Sequence, residues 1–415
     1  MQVVTITPIR SHLNLRLGVN EKTAGYKDFL DSIKSLLPKA KISKQRSAKA
    51  YKSLKVDDRD GLKLFSIKHS FEQQGISLTA HVYSNTVSII ELLFDEQTLP
   101  DTDLENWVQD HTTTLINEYY QQHLMPQLQL LAAKLAPKYL EPIGKFSGFI
   151  DINEPFGSDD EVEQLWSARS LRLQPHQRQS HADLITEWLS NTPCPEDATA
   201  IIAGESDVSM VWLNYVFVDT NVELNDMRIA AMVSAQYVYS VQDICNSNLY
   251  ETISTTYLEK SVQQAKTAIT AIRAITRMHI SSFQEARKYL KPEKKILIDE
   301  ILKGWDFDKV TANSERLIDI CSSRLHDIQS TQEEKSSYYT DLILVAIGFI
   351  SLFDLAITLS EYSRTYTASA TLGYRDSAPS SFLTMIATLE TDHLLLISFF
   401  FIVFAFFIYL YAKRH

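Results

Sequence analysis

Two apolar runs near the end of the chain constrain it more than anything else. LLLISFFFIVFAFFIYLYA, from Leu394 to Ala412, contains no charged residue, and the stretch from Leu342 to Leu359 is interrupted only by Asp354. About 20 apolar residues in helical form cross the hydrocarbon core of a bilayer, because lipid offers no partner to backbone amides and a helix satisfies them internally. The two runs are expected to form a transmembrane hairpin. Lys413, Arg414 and His415 follow the second run, whereas the loop from Ser360 to His393 sets Arg364 and Arg375 against Glu361, Asp376, Glu390 and Asp392. Basic flanks favour the cytosolic side, so both termini are expected inside and a short acidic loop outside. The beginning, MQVVTITPIRSHLNLRLG, lacks the order of a secretory signal, so the amino-terminal part is expected to stay in the cytosol; the expected location of the protein is a bacterial inner membrane.

The residues before the first run carry mixed charge, and 11 Gly and 12 Pro in 415 residues leave room for long helices. Strands are expected at VVTITPI, LKLFSIKHSF, GISLTAHVYSN and VSIIELLFD, from alternating or continuous β-branched runs, with Asn85 and Thr86 as a hairpin turn. FSGFIDI from Phe146, ATAIIAGES and the apolar Val208–Val218 run add further strands, the last central in its sheet, with helices near Asp103–Leu135 and Gln177–Leu189. From about Glu223 the pattern turns helical. Leu258, Val262, Ala265, Ile269 and Ile272 step by four, three, four and three along one helix that Pro292 ends. Val310, Leu317, Cys321, Leu325 and Ile328 mark another, and a single helix from Phe307 to Leu359 would be roughly 80 Å long. The expected architecture is an α+β cytosolic domain (1–222), a helical stalk (223–340), a first span (341–360), an outer loop (361–392) and a second span with its basic tail (393–415).

A stalk with a narrow apolar seam needs a neighbour, and self-association supplies one, so a homo-oligomer is expected. On the first span Asp341, Leu344, Gly348, Ser351, Leu355 and Thr358 fall in one sector, which suits a pore wall better than a lipid face. Asp354 lies about a quarter turn from it, and an acid at that depth ordinarily faces protein, water or an ion path. Asp354 and Glu361 could form acidic rings for cations, or Asp354 could be satisfied by a neighbouring subunit while Glu361 sits in the headgroups.

This layout, strongest from Thr255 to His415, resembles the CorA-type metal ion transporter superfamily. The resemblance implies a homopentamer whose first spans line a pore for Mg²⁺ or a related divalent cation, with Asp341, Gly348, Ser351 and Thr358 on its wall and Lys413 and Arg414 in a basic ring at the cytosolic face. The family's Gly-Met-Asn at the outer end of the first span is missing; the chain reads LSEYSRTYTASATLGYRDSAPSS there. CorA-like proteins without that motif, encoded beside type III CRISPR systems, act as membrane effectors of antiviral defence gated by an adenine nucleotide messenger. The expectation is therefore a ligand-gated channel, with a Mg²⁺ transporter and a non-conducting membrane-tethered sensor or scaffold as alternatives.

Other features carry competing readings. Lys39, Lys41, Lys44, Arg46, Lys49, Lys52 and Lys55 stand without an acid among them in a chain of net charge −11. A solvated linker is the plainer reading, and capture of an anionic ligand such as a nucleotide, or of lipid headgroups, the sharper one. Ser158, Asp159, Asp160, Glu161 and Glu163 suit a helix start better than a cation sensor. His176 and His181 are five apart and do not converge as a metal pair. Trp212, Tyr215, Tyr237 and Tyr239 read as core. Cys194, Cys245 and Cys321 suggest neither a disulfide framework nor a zinc site. No phosphate-binding loop, nucleophile elbow or His-Glu-x-x-His is present, so an enzyme is not expected, and neither is direct nucleic-acid binding.

Overall fold

The computed structural model describes residues 1–11, 13–15, 19, 23–43, 62–71, 75–100, 103–135, 149–152, 162–211, 213–258 and 261–368, with 385, 388, 393, 396, 397, 399, 400, 403 and 404. The chain divides into two compact units, Met1–Ser323 and Arg324–His415.

The first unit is α+β. In chain order its elements are β1 (Gln2–Arg10), β2 (Leu13–Leu15), α1 (Tyr26–Leu36), β3 (Lys41–Ile42), β4 (Lys63–Phe71), β5 (Ile76–Tyr83), β6 (Val87–Asp95), α2 (Leu104–Tyr119), α3 (Met125–Leu135), β7 (Ile150–Ile152), β8 (Ala168–Leu173), α4 (Ala182–Ser190), α5 (Asp197–Ala203), β9 (Val208–Val211), β10 (Asn214–Val218), α6 (Val222–Leu258), α7 (Val262–Arg287) and α8 (Pro292–Gly304). Eight strands form one sheet in the order β3-β4-β5-β6-β1-β8-β10-β9, and β2 pairs with β7 separately. All neighbours in the large sheet are antiparallel except β8 and β10.

β1 lies in the middle of this sheet with both faces covered, which is why VVTITPI reads as a continuous run. Val3 and Ile9 enter one core, with Phe94 of β6, Val108 and Ile116 of α2, and Trp188 of α4. Val4 and Ile6 enter the other, with Tyr215 and Phe217 of β10, Met232 and Val238 of α6, and Ile298 and Ile301 of α8. The buried threonines of β1 are hydrogen-bonded, Thr7 with Ser167 at 2.8 Å and Thr5 as acceptor from Thr112 at 3.3 Å. Their hydroxyls therefore escape the cost of unpaired burial. Arg169 of β8 donates to Glu105 of α2 at 2.6 Å and to Asn214 of β10 at 3.0 Å, tying helix to sheet.

Several expectations are corrected. ATAIIAGES is not a strand: α5 occupies it, with Ala198 and Ile201 inward at helical spacing, and Gly204 at φ 82° ends it in the left-handed region. Val208–Val218 is not one central strand but a hairpin, β9 and β10, with β9 at the sheet edge. Leu258 does not share a helix with Val262, Ala265, Ile269 and Ile272: α6 ends at Leu258, and Ser261 caps α7 by accepting from the Gln264 amide at 3.3 Å. The buried seam of α7 is Ala265, Ile269, Ile272, Thr276, His279 and Phe283. Pro292 opens α8 instead of ending α7, at a position where its missing N–H costs nothing. A further strand, β8, lies between β1 and β10 where the sequence pattern points to none.

A last helix, α9 (Phe307–Ala368), begins where expected but runs 62 residues, on past Leu359. Its Leu317, Cys321 and Ile328 are buried and Leu325 half-buried. In the first unit, Asn246 of α6 donates to the Val310 carbonyl at 3.1 Å, which fixes the start of α9 beside α6.

Candidate functional site on the apolar helix

Within α9, Tyr339–Thr365 is long and apolar enough to cross a membrane, and it is the one such helix among the described residues. A core helix of that composition would be covered by protein, yet none of its most apolar 18-residue window is buried. Ile343, Leu344, Ile347, Ile350, Leu352 and Leu355 stand exposed, Ile350 to 69%. An apolar surface of that extent calls for lipid or for other protein. The span is about 40 Å long at ~1.5 Å per residue, against ~30 Å of hydrocarbon.

Its surface is not uniform. Val345, Phe349 and Phe353 are half-covered and Ser360 and Ser363 buried, a stripe along one side of the helix. Opposite that stripe, Leu344, Ile347, Ser351, Asp354, Thr358 and Glu361 recur in steps of three, four, three, four and three, and all six are exposed. This spacing is the seam that packs helices around a common axis. Ser351 donates to the Ile347 carbonyl at 3.0 Å and Thr358 to the Asp354 carbonyl at 2.8 Å. With their protons engaged on their own helix, the hydroxyls present lone pairs outward. The Asp354 carboxylate makes no hydrogen bond or ion pair among the described residues. A Cβ added at Gly348 would meet nothing within 4 Å, so packing inside the chain does not demand a glycine there.

Of the pore-facing set read from the sequence, Leu344, Gly348, Ser351, Leu355 and Thr358 are exposed and Asp341 is half-covered. The centre of the uncovered side is shifted toward Asp354, which lies within the polar seam instead of beside it. Lys413 and Arg414 lie outside the described residues. The second apolar run is described at Leu396, Ile397, Phe399, Phe400, Val403 and Phe404, all helical, and mostly exposed. Lys39 and Lys41 are exposed, Lys41 on the short edge strand β3, where a lysine discourages pairing with another sheet. Lys44, Arg46, Lys49, Lys52 and Lys55 lie outside the described residues, as do Ser158, Asp159, Asp160, Glu161 and Trp212. Tyr215 and Tyr237 are core residues, Tyr237 stacked on Tyr83 with ring centroids 3.7 Å apart. No cluster of three or more metal-ligating side chains occurs among the described residues.

Sequence reasoning missed a second group of polar residues, in the first unit. Lys63 and Lys68 of β4, Arg172 of β8 and Lys294 of α8 line one cavity of about 320 Å³ with His81, Glu91 and Asp226. The available signal was the pair of lysines on β4, a strand whose other face is apolar; Lys294 and Arg172 join it only through the fold. Comparison with protein-family models, with curated proteins and with solved structures finds no match to this chain.

Proposed function

We propose that this protein is a ligand-gated, CorA-like ion channel of the bacterial inner membrane, a homo-oligomer with five subunits in which the Tyr339–Thr365 spans surround an ion path. The carrying observation is the uncovered seam of Ser351, Asp354 and Thr358 on an otherwise apolar helix. Asp354 sits about 3 Å past the middle of the span, where a carboxylate facing lipid costs about 2.5–3.5 kcal/mol. Turned toward a shared aqueous axis, the same carboxylates escape that cost and attract cations, with the Ser351 and Thr358 oxygens as further acceptors. Exposed Ile347 and Leu344 on that seam supply the apolar contacts between neighbouring helices, and Gly348 beside it lets backbones approach.

The 1–323 unit is the sensor in this reading. A ligand that binds it better in one subunit arrangement shifts the population of open pores, and a nucleotide messenger of antiviral defence is the ligand class we favour. Ion flux from liposomes carrying the purified protein tests this, comparing K⁺ with Mg²⁺ and adding adenine nucleotides. Cation flux that rises with nucleotide, and falls severalfold in Asp354→Asn with the oligomer intact, is expected. Nucleotide-independent Mg²⁺ flux that closes as internal Mg²⁺ rises would make it a Mg²⁺ transporter. The absence of any current would leave a membrane-tethered sensor or scaffold.

A further inference from the structure

Lys294 is a largely buried lysine that lines a polar cavity of the first unit. It is only 7% exposed and forms no hydrogen bond or ion pair among the described residues. It also lies in the first turn of α8, whose free amides and dipole already make that end positive. Its side chain lines a cavity and its ammonium makes no ion pair among the described residues, so an anion entering that cavity would find a partner in it.

The surrounding cavity has the chemistry to hold one. Its floor is the face of the sheet that α6 leaves open beside β1: Ser77, Thr79 and His81 alternate along β5, with Lys68 of β4 opposite Thr79 and Glu91 of β6 on Thr79's other side. Lys63, Lys68, Arg172 and Lys294 bring four cationic groups to it. The two carboxylates are already engaged, Glu91 with His81 at 3.0 Å and Asp226 with Arg172 at 3.9 Å. Burial draws the Arg172 guanidinium down from its ordinary range, while Asp226 and Glu91 oppose that. One wall, Ile229, Ala230 and Val233 of α6, is apolar. In a chain of net charge −11, so local a cationic excess in a half-enclosed site selects for anions.

The geometry points to this cavity as a binding site for an organic phosphate: the phosphate on Lys294 and Lys68 with the Ser77 and Thr79 hydroxyls donating, and the ligand's apolar or aromatic portion on Ile229 and Val233. The volume suits a ligand of mononucleotide size. The site stands on the first unit alone; only its coupling to a pore rests on the function proposed above, and binding is measured independently of flux.

The test is calorimetric titration of the full-length protein in detergent with AMP, with inorganic pyrophosphate, and with adenosine as the uncharged control. AMP and pyrophosphate are expected to bind, adenosine at least tenfold more weakly than AMP, and both phosphates at least tenfold more weakly to Lys294→Met, whose side chain fills nearly the same volume. Lys68→Ser, a change on an exposed strand position, is expected to weaken both phosphates without altering the melting temperature, which guards against misreading a folding defect. Lack of binding by either phosphate at millimolar concentration, or equal binding by wild type, Lys294→Met and Lys68→Ser, overturns the assignment. So does adenosine binding as tightly as AMP. Phosphate binding without any nucleotide effect on flux would keep this site and refute the gating proposal.

Discussion

Acidification should loosen the packing of α6 on α7 through one imidazole. His279 lies in the buried seam of α7, its ring edge-on to Tyr237 of α6 with centroids 6.2 Å apart. Its Nε2 has no hydrogen-bond partner among the described residues. Burial lowers its pKa from 6.5 to about 4, against a smaller upward pull from a backbone hydrogen bond at Val238. In the unfolded chain the ring takes up its proton near pH 6.5, whereas in the folded chain it stays neutral until about pH 4. Protons therefore favour the open state. The contribution to stability is intact above pH 6.5 and is lost as pH falls from 6.5 to 4. With those two values the loss is about 2 kcal/mol at pH 5, some thirtyfold in the opening equilibrium, and about 3 kcal/mol at pH 4. Amide hydrogen exchange on the full-length protein, corrected for the intrinsic pH dependence of exchange, reads this directly in the peptides of α6 and α7. His279→Phe keeps an aromatic ring against Tyr237 and cannot titrate, so its protection should hold between pH 7.5 and 5 while that of the wild type falls. Equal loss in both proteins, or no loss in either, would show that burial of this imidazole does not govern the pairing.

Two further outcomes are expected. Gly204→Ala forces a Cβ into the left-handed region at φ 82°, while the space around it is open enough that the nearest atom, Arg178 Nη1, is 3.9 Å away. Backbone strain alone should cost about 1 kcal/mol, lowering the thermal midpoint by about 2 °C in a calorimetric scan. Gly348→Leu meets nothing within the chain, so a single subunit should tolerate it. If neighbouring spans approach at Gly348, native mass spectrometry in detergent will show smaller assemblies, and an unchanged oligomer would place the contact elsewhere.

What the sequence discloses follows from how locally each feature is encoded. Strands β1, β4, β5 and β6 are written in their own β-branched runs, and the turn at Asn85 and Thr86 in its residue types. The apolar span announces itself because solvation by lipid acts on every residue of it alike. Strand β8, ARSLRL, does not, because its arginines look solvent-facing until Glu105 and Asp226 arrive from α2 and α6 to meet them. Nor does α5: the alanines and isoleucines of ATAIIA suit either state, and packing of Ala198 and Ile201 under the sheet decides for helix. The break between α6 and α7 rests on one capping serine, Ser261, inside a spacing that looks unbroken. The two candidate sites differ in the same way. The polar seam of α9 is periodic and readable along one helix, whereas the cationic cavity draws on β4, β5, β6, β8, α6 and α8, and its lysines are separated by more than 200 residues.

The position of β1 has a consequence for synthesis. Its hydrogen-bonding edges are completed by β6 on one side and by β8 on the other, with Gln2 opposite Asp95 and Arg172. On the ribosome this apolar strand waits for both partners, and at ~5–20 residues per second the second arrives roughly 8–30 s after the first strand is made. Through that interval one edge of VVTITPI is open to any extended chain nearby, the situation in which chaperones are needed. The sheet can close once β10 has emerged, well before Tyr339 is translated. A delay that keeps β8 from β1, such as a folding lesion near Arg169, would therefore overlap with the emergence of the apolar helix, and two aggregation-prone segments would be exposed together instead of in turn.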